Sequence, residues 1–487
     1  MALTDLPQWL AYIERQHPKS IDMGLERVRD VAARMALGRP AARVVTVGGT
    51  NGKGSTVAFI EAIARAAGWK VGAYTSPHLL RYNERVRVDG VEVDDTSLVA
   101  AFEAVEAARG DTPLTYFEFG TLAALWLFER AGLDLAVLEV GLGGRLDAVN
   151  LVDADVAVIT TVDIDHTDWL GADREAIGAE KAGIARAWKP LVLGEVDSPS
   201  SVLRHAYAIG ANALRLGSDF FHEPIDSSHW RWREVGAELV LPMPVLSAPA
   251  QRANAASAIA ALRALPGDAI TDEAFAQGVA QATLPGRLQR VPHGEVDVVL
   301  DVGHNPQAAR ELAAWLQAHP AAGETHVVFA ALADKDVTSV VDAFAGMPLR
   351  WHLAGLDAGP RAQSADQLAA RLGETSAAQA MRHRCVEDAL AAALAGARAG
   401  DRVLVFGSFH TVAEALRALH SGRCRGAAGS APYNRGGIPA AAALDLDGYR
   451  PETAPDRRRR AGRAGRHLPS HAGQGAGTRQ WRVRRAA

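Results

Sequence analysis

Residues Gly48 to Ser55 read Gly-Gly-Thr-Asn-Gly-Lys-Gly-Ser, placing four glycines, one lysine and two hydroxyl side chains within eight positions. Glycines let the backbone fold its N–H groups around phosphate oxygens. A following helix N-terminus favours an anion, and a lysine neutralises charge at the β- and γ-phosphates. The run departs from the ordinary phosphate loop because Gly54 separates Lys53 from Ser55. Lysine is scarce in this chain: only Lys19, Lys53, Lys70, Lys181, Lys189 and Lys335 occur among 52 basic residues, the rest being arginine. A lysine inside a glycine-rich loop is therefore a position to question, and the pattern points to ATP held by Thr50, Asn51, Gly52, Lys53, Gly54 and Ser55.

Two further groups could do chemistry. Glu139 closes the apolar run Leu133 to Val140 and precedes Gly141-Leu142-Gly143-Gly144-Arg145-Leu146-Asp147. A carboxylate at a strand end can hold Mg²⁺ against nucleotide phosphates. Asp163-Ile164-Asp165-His166 ends the next apolar run, and Lys181 follows in Ala179-Glu180-Lys181-Ala182-Gly183-Ile184. An ammonium beside a metal would repel it, so on residue type alone Lys181 reads as a surface helix lysine paired with glutamate. There is no Ser/His/Asp or Cys/His pattern for a protein nucleophile. The two cysteines, Cys385 and Cys424, exclude a disulfide framework and a cysteine-based zinc site, as expected of a reducing cytoplasm.

These groups need elements to hold them. Val44–Val47 reads as a strand feeding the glycine loop, followed by a helix over Val57–Ala67 with Phe59, Ile60 and Ile63 on one face. Leu133–Val140 and Val156–Val162 are near-continuous apolar strands, as a parallel sheet covered on both faces requires, with a helix over Thr121–Ala131 between the loop and the first of them. Residues 195–248 look less regular, with a strand over Ala237–Leu241, and a helix over Asn254–Leu265 follows. A second series begins with the strand Val296–Val302 and continues through a helix over Gln307–His319, a strand over His326–Ala330, a helix over Val337–Phe344 and a strand over Arg402–Phe406. The rhythm is α/β throughout. The boundary falls near Pro285-Gly286-Arg287, dividing the chain into 1–285, 286–420 and a tail, 421–487.

The 487 residues are 48% hydrophobic and 22% charged, the balance of a globular protein, with no apolar run long enough for a membrane span and no basic leader at Met1–Trp9. The formal charge of −4 conceals a split: the tail carries fourteen arginines against four acidic residues, leaving −14 on the rest. Gly, Ala, Pro and Arg dominate the tail, a composition that predicts disorder.

In order along residues 20 to 420, Gly49–Ser55, Thr75-Ser-Pro-His-Leu79, Glu139–Asn150, Asp163–His166, Ala179–Ile184, Pro285–Gln289, Gly303-His-Asn-Pro306, Asp334-Lys-Asp336 and Phe406–Val412 resemble the folylpolyglutamate synthase/dihydrofolate synthase family of Mur-ligase-like amide ligases. The resemblance implies a P-loop ATPase domain with a parallel sheet, a smaller C-terminal α/β domain and an active site in the cleft between them. ATP would phosphorylate the carboxylate of dihydropteroate or a reduced folate, and the amine of L-glutamate would attack the acyl phosphate. Such a ligase needs no protein nucleophile, because ATP supplies the activation.

By the same resemblance Ser76, Glu139 and His166 match Mg²⁺ ligands at two metal sites, and a monovalent cation is a further implied cofactor. Lys181 matches a lysine that is carbamylated in the superfamily, which converts the repelling ammonium into an anion. Asn254, Arg287 and Asp301 match nucleotide contacts, with His304 near the cleft. Asp22, Thr115, Phe117, Arg145 and Asp147 match the pterin side. Lys53, His166 and Lys181 are the implied catalytic groups. The expected protein is a cytoplasmic monomer that binds neither nucleic acid nor membrane. A peptidoglycan Mur ligase acting on a UDP-sugar peptide is the nearest alternative, and a regulatory or nucleic-acid-binding P-loop protein is the alternative from another class. The Glu139/His166/Lys181 set argues against the latter.

Overall fold

The computed structural model describes residues 3–19, 21–267 and 269–421. All but the first residue of the tail expected to be disordered, 421–487, lies outside the described residues. Two large sheets organise the rest.

The first has eight strands in the order β4-β3-β2-β5-β1-β6-β7-β8. They are β1 Ala41–Gly48, β2 Val71–Tyr74, β3 Val86–Val88, β4 Val91–Glu92, β5 Leu133–Glu139, β6 Val156–Ile159, β7 Pro190–Leu193 and β8 Asn212–Arg215. The six from β2 to β8 run parallel, and β3 and β4 add an antiparallel edge. The apolar runs are fully buried because helices cover both faces. Register pairs Val47 with Glu139 and Gly48 with Ile159, so the carboxyl ends of the three central strands open at one place. β6 stops three residues short of the expected Val162. Thr160 donates its N–H to Gly48 O at 2.9 Å and its hydroxyl to Asn51 O at 2.6 Å, ending the strand in order to brace the glycine loop. The expected helices begin earlier than their apolar faces. One spans Lys53–Ala66, starting on the loop lysine itself, and another spans Tyr116–Ala131 behind a Thr115/Glu118 capping box.

The irregular-looking segment contains an antiparallel sheet, ordered β11-β10-β9, of Phe220–Pro224 (β9), His229–Glu234 (β10) and Ala237–Pro242 (β11). Trp230 and Trp232 alternate inward and are wholly buried, while Arg231 and Arg233 face outward. Trp232 Nε1 donates to Ala256 O at 3.1 Å, which ties this sheet to the helix Gln251–Arg263.

The second large sheet follows Gly286. Its order is β12-β13-β17-β14-β15-β16, with only β12 antiparallel. The strands are β12 Gln289–His293, β13 Val296–Asp301, β14 Thr325–Phe329, β15 Leu349–Ala354, β16 Met381–His383 and β17 Arg402–Phe406. Separate apolar clusters fill its two faces. The helix Pro306–Ala318 starts where Asn305 accepts the Ala308 N–H, with proline at its first position. No helix among the described residues is long and apolar enough to cross a membrane.

Candidate active site

The carboxyl ends of the two sheets face one cavity of about 940 Å³. The glycine loop forms one wall. Gly52 caps the helix Lys53–Ala66 at φ +85, in the left-handed region, and a Cβ there would lie 2.4 Å from Asn254 Oδ1. Glycine is thus required by both conformation and space. Thr50 N donates to Thr161 O at 2.7 Å, and Asp163 N donates to Thr50 Oγ1 at 3.0 Å, so the loop is pinned to the end of β6. Lys53 Nζ curls back onto Gly49 O and Thr50 O, both at 3.1 Å.

Lys181 does not lie on a surface. Its side chain is buried, and Nζ donates to the same Gly49 O at 2.9 Å, while Glu180 pairs with Arg145 instead. Desolvation, reinforced by the Lys53 ammonium, lowers the Lys181 pKa to about 7. A lysine partly neutral near pH 7 can act as an amine nucleophile toward CO₂.

Glu139, at the end of β5, is buried in the cavity wall and accepts the Ser76 N–H at 3.1 Å. Burial raises its pKa against the opposing pull of Lys53, the Ser76 N–H and Arg287. His166 stands at a left-handed position (φ +53) at the mouth of a short helix, its Nε2 3.8 Å from Asp165 Oδ2. Desolvation lowers its pKa to about 4, leaving a neutral imidazole. A carboxylate, a hydroxyl and a neutral imidazole that line one cavity beside a phosphate loop suit Mg²⁺ or Mn²⁺. Ser76, Glu139 and His166 therefore fit the ion expected of them.

The opposite wall comes from the second sheet. Asp301, ending β13, accepts the N–H groups of Leu288 at 2.9 Å and Gly303 at 2.7 Å. Arg287 is half-buried, with its guanidinium over the Phe409 ring at 5.4 Å. His304 Nε2 approaches Asp165 Oδ2 at 3.6 Å. Lys335, in the loop after β14, donates to Asp165 Oδ1 at 2.7 Å. Burial alone would raise the Asp165 pKa, but His304 and Lys335 hold it well below the usual carboxylate range. Asn51 and Asn305 exchange side-chain amide hydrogen bonds of 3.0 and 2.9 Å, and Asn51 Nδ2 also reaches Gln307 Oε1 at 2.5 Å.

The five residues matched to the pterin side do not line this cavity. Thr115 is a buried helix cap, bound through Glu118 to Arg27, and Arg27 NH1 donates to Asp22 Oδ2 at 2.5 Å. Arg145 lines a smaller depression together with Arg27. Phe117 stacks on Tyr74 at 5.9 Å. Asp147 accepts the Leu142 and Val149 N–H groups at 2.8 and 3.0 Å and thereby shapes the loop after Glu139. Its burial raises its pKa to about 7. Sequence reasoning assigned no role to Asp165 or Lys335 and did not single out Gln307. For the lysine, its rarity was the available signal, and for Asp165 its place in the Asp163–His166 run; for Gln307 there was none short of the fold.

The Mur ligase middle domain model matches residues 47–219, and the glutamate ligase domain model of the Mur ligases matches 286–409. The dihydrofolate synthase/folylpolyglutamate synthase of Escherichia coli (strain K12) is 47% identical over 426 residues, covering 87% of this chain and 98% of that protein. A structure of E. coli FolC in complex with DHPP and ADP superposes with a TM-score of 0.81 at 47% identity, covering 86% of this chain and 99% of the other. A bifunctional folylpolyglutamate synthase/dihydrofolate synthase with Mn, AMPPNP and L-glutamate bound gives 0.79 at 46% identity, over 86% and 98%. With the phosphate loop, the strand-end carboxylate and the opposing second sheet in one cavity, this chain belongs to the dihydrofolate synthase/folylpolyglutamate synthase family of Mur-type ligases.

Proposed function

We propose that this chain is an ATP-dependent carbon–nitrogen ligase that joins L-glutamate to the carboxylate of dihydropteroate and of reduced folates through an acyl phosphate. The observation that carries the reading is the shared cavity, in which Lys53 and Lys181 meet on Gly49 O across from Arg287, Asp301 and Lys335. The loop Thr50–Ser55 holds the triphosphate, and Asn254, Arg287, Asp301 and His304 complete the nucleotide site. Ser76, Glu139 and His166 would hold Mg²⁺, which when bound would neutralise phosphate charge. The acceptor carboxylate oxygen attacks the γ-phosphorus and ADP departs. The glutamate nitrogen then attacks the acyl carbon, forming the amide and releasing phosphate. Lys53 stabilises the charge on the transferring group, and Lys181, once carbamylated, would present an anion toward the metal that Ser76, Glu139 and His166 would hold. Asp22, Thr115, Phe117, Arg145 and Asp147 shape the neighbouring face toward the pterin.

The chain divides as 1–285 for ATP and folate, 286–420 for the ligase lobe and 421–487 for the tail. The start of the second sheet just beyond Gly286 and the span of the glutamate ligase domain model support that division. We place the protein in the cytoplasm, where two cysteines that build no disulfide framework are at home, and take it to act as a monomer. A UDP-sugar substrate is disfavoured by the folate names of the relatives. ATP hydrolysis measured with dihydropteroate, tetrahydrofolate or a UDP-sugar peptide, each with and without glutamate, tests the reading. Turnover requires a pteroate-type acceptor and glutamate together; turnover on the UDP-sugar peptide alone would overturn it.

A further inference from the structure

We propose that Glu324, His326 and Asp401 form a binding site for a divalent transition-metal ion of the Zn²⁺ type, at the end of the second sheet opposite the cleft. Glu324 and Asp401 immediately precede β14 and β17, whereas the cleft residues follow the carboxyl ends of β13 and β17. The site is therefore separate from the one already described.

His326 is 2% exposed, and its Nε2 has no hydrogen-bond partner among the described residues. That nitrogen faces Asp401 Oδ2 at 4.0 Å, too far for a hydrogen bond and wide enough for an ion between them. The Asp401 carboxylate is fixed in advance. Oδ1 accepts the Glu324 N–H and Oδ2 the Arg398 N–H, both at 2.7 Å. A Cβ on Gly323 would lie 2.0 Å from Oδ1, so glycine is what lets the strand approach. The potential ligand atoms of the three residues lie within 4.8 Å of one another. One imidazole and two carboxylates, with water completing the shell, are a donor set suited to Zn²⁺ or Co²⁺.

The far side of the imidazole is also ordered. His326 Nδ1 lies 3.3 Å from His352 Nε2, and His352 Nδ1 lies 3.3 Å from His383 Nε2, a ladder crossing β14, β15 and β16. When each Nδ1 donates along the ladder, the Nε2 lone pair of His326 points at the carboxylates, which is the tautomer a metal ligand needs. In the reverse direction Nε2–H faces an oxygen it does not reach. An ion removes both mismatches. Glu324 now pairs with Arg350 at 2.7 Å, but both side chains are more than half exposed, so the pair gives way readily.

Titration of the full-length enzyme with Co²⁺, followed by visible d–d absorption, tests the proposal. One equivalent at this site gives a band that Zn²⁺ displaces. His326→Gln abolishes that band, Glu324→Gln weakens Co²⁺ binding about tenfold, and His352→Phe weakens it by about 10–100-fold, as for an outer-shell partner. His166→Ala, which removes an imidazole in the cleft, leaves it unchanged. A band that survives His326→Gln, or that disappears in His166→Ala, overturns the proposal. Glu324 is exposed, so Glu324→Gln should keep the wild-type circular dichroism; wild-type Co²⁺ affinity in that folded variant would equally refute the three-residue site.

Discussion

Lys335 donates to Asp165 Oδ1 at 2.7 Å, joining the second sheet to the end of β6 across 170 residues of chain, with both side chains largely buried. The contact places a positive charge from one lobe on the carboxylate that stands beside His166 in the other. Removing either partner leaves an uncompensated charge in the cleft.

Lys335→Met should therefore destabilise the protein by about 3 kcal/mol and lower kcat/KM by about 100-fold through loss of alignment between the lobes. Chemical denaturation and steady-state kinetics measure the two effects. Adding Asp165→Asn should restore most of the stability, because no charge is then left unpaired, without restoring turnover. Wild-type kinetics in Lys335→Met would show that the pair does not matter to catalysis.

Lys181→Ala should reduce turnover by about 100-fold or more, by analogy with loss of a positioned group in the transition state. Acetate or formate should recover part of it and bicarbonate none. In the wild type, the ammonium loses its proton as pH rises through about 7, and only the neutral amine adds CO₂. Enzyme stripped of bicarbonate should hence regain activity on its return more readily above that pH than below it. The sign for stability follows: a lysine whose folded pKa is depressed binds fewer protons folded than unfolded, so its contribution to stability rises with pH from about 7 toward the ordinary lysine range. Lys181→Met should gain stability relative to wild type at neutral pH and lose that advantage in alkali.

Gly52→Ala combines a left-handed backbone with a 2.4 Å encounter with Asn254 Oδ1. The conformational term alone is about 1–2 kcal/mol. If the loop shifts to relieve it, ATP affinity should fall about tenfold or more. Isothermal titration with a non-hydrolysable analogue measures this, and unchanged affinity would mean that the loop adapts to the phosphates in some other shape.

Deletion of residues 425–487 should leave kcat and the KM values for ATP, acceptor and glutamate unchanged, since every residue lining the cleft lies between Gly49 and Arg417. A large loss in the truncated enzyme would place part of the tail at the site.

The glycine loop, the strand end at Glu139 and the strand–helix alternation of the second sheet were legible in the sequence, because each is a local pattern with a local cause. The end of β6 was not. Thr160 and Thr161 have the β-branched side chains of a strand, and only the nearby loop shows why they leave it. The tryptophans of β10 looked irregular because arginines fill the alternate positions of a sheet with one wet face. The burial of Lys181 contradicts its immediate neighbourhood, where Glu180 offered a partner that Arg145 takes. Contacts such as Lys335–Asp165 depend on how two sheets meet, and no periodicity encodes them.

The reciprocal amide pair between Asn51 and Asn305 makes the triphosphate loop part of the contact between the two lobes. Anything that resettles that loop shifts the balance of lobe positions, and anything that moves the lobes changes the loop. By thermodynamic reciprocity, whatever factor nucleotide adds to the affinity for a ligand grasped by both lobes, that ligand returns to the affinity for nucleotide. Order of arrival then becomes a property of two side-chain amides as well as of the pockets they separate.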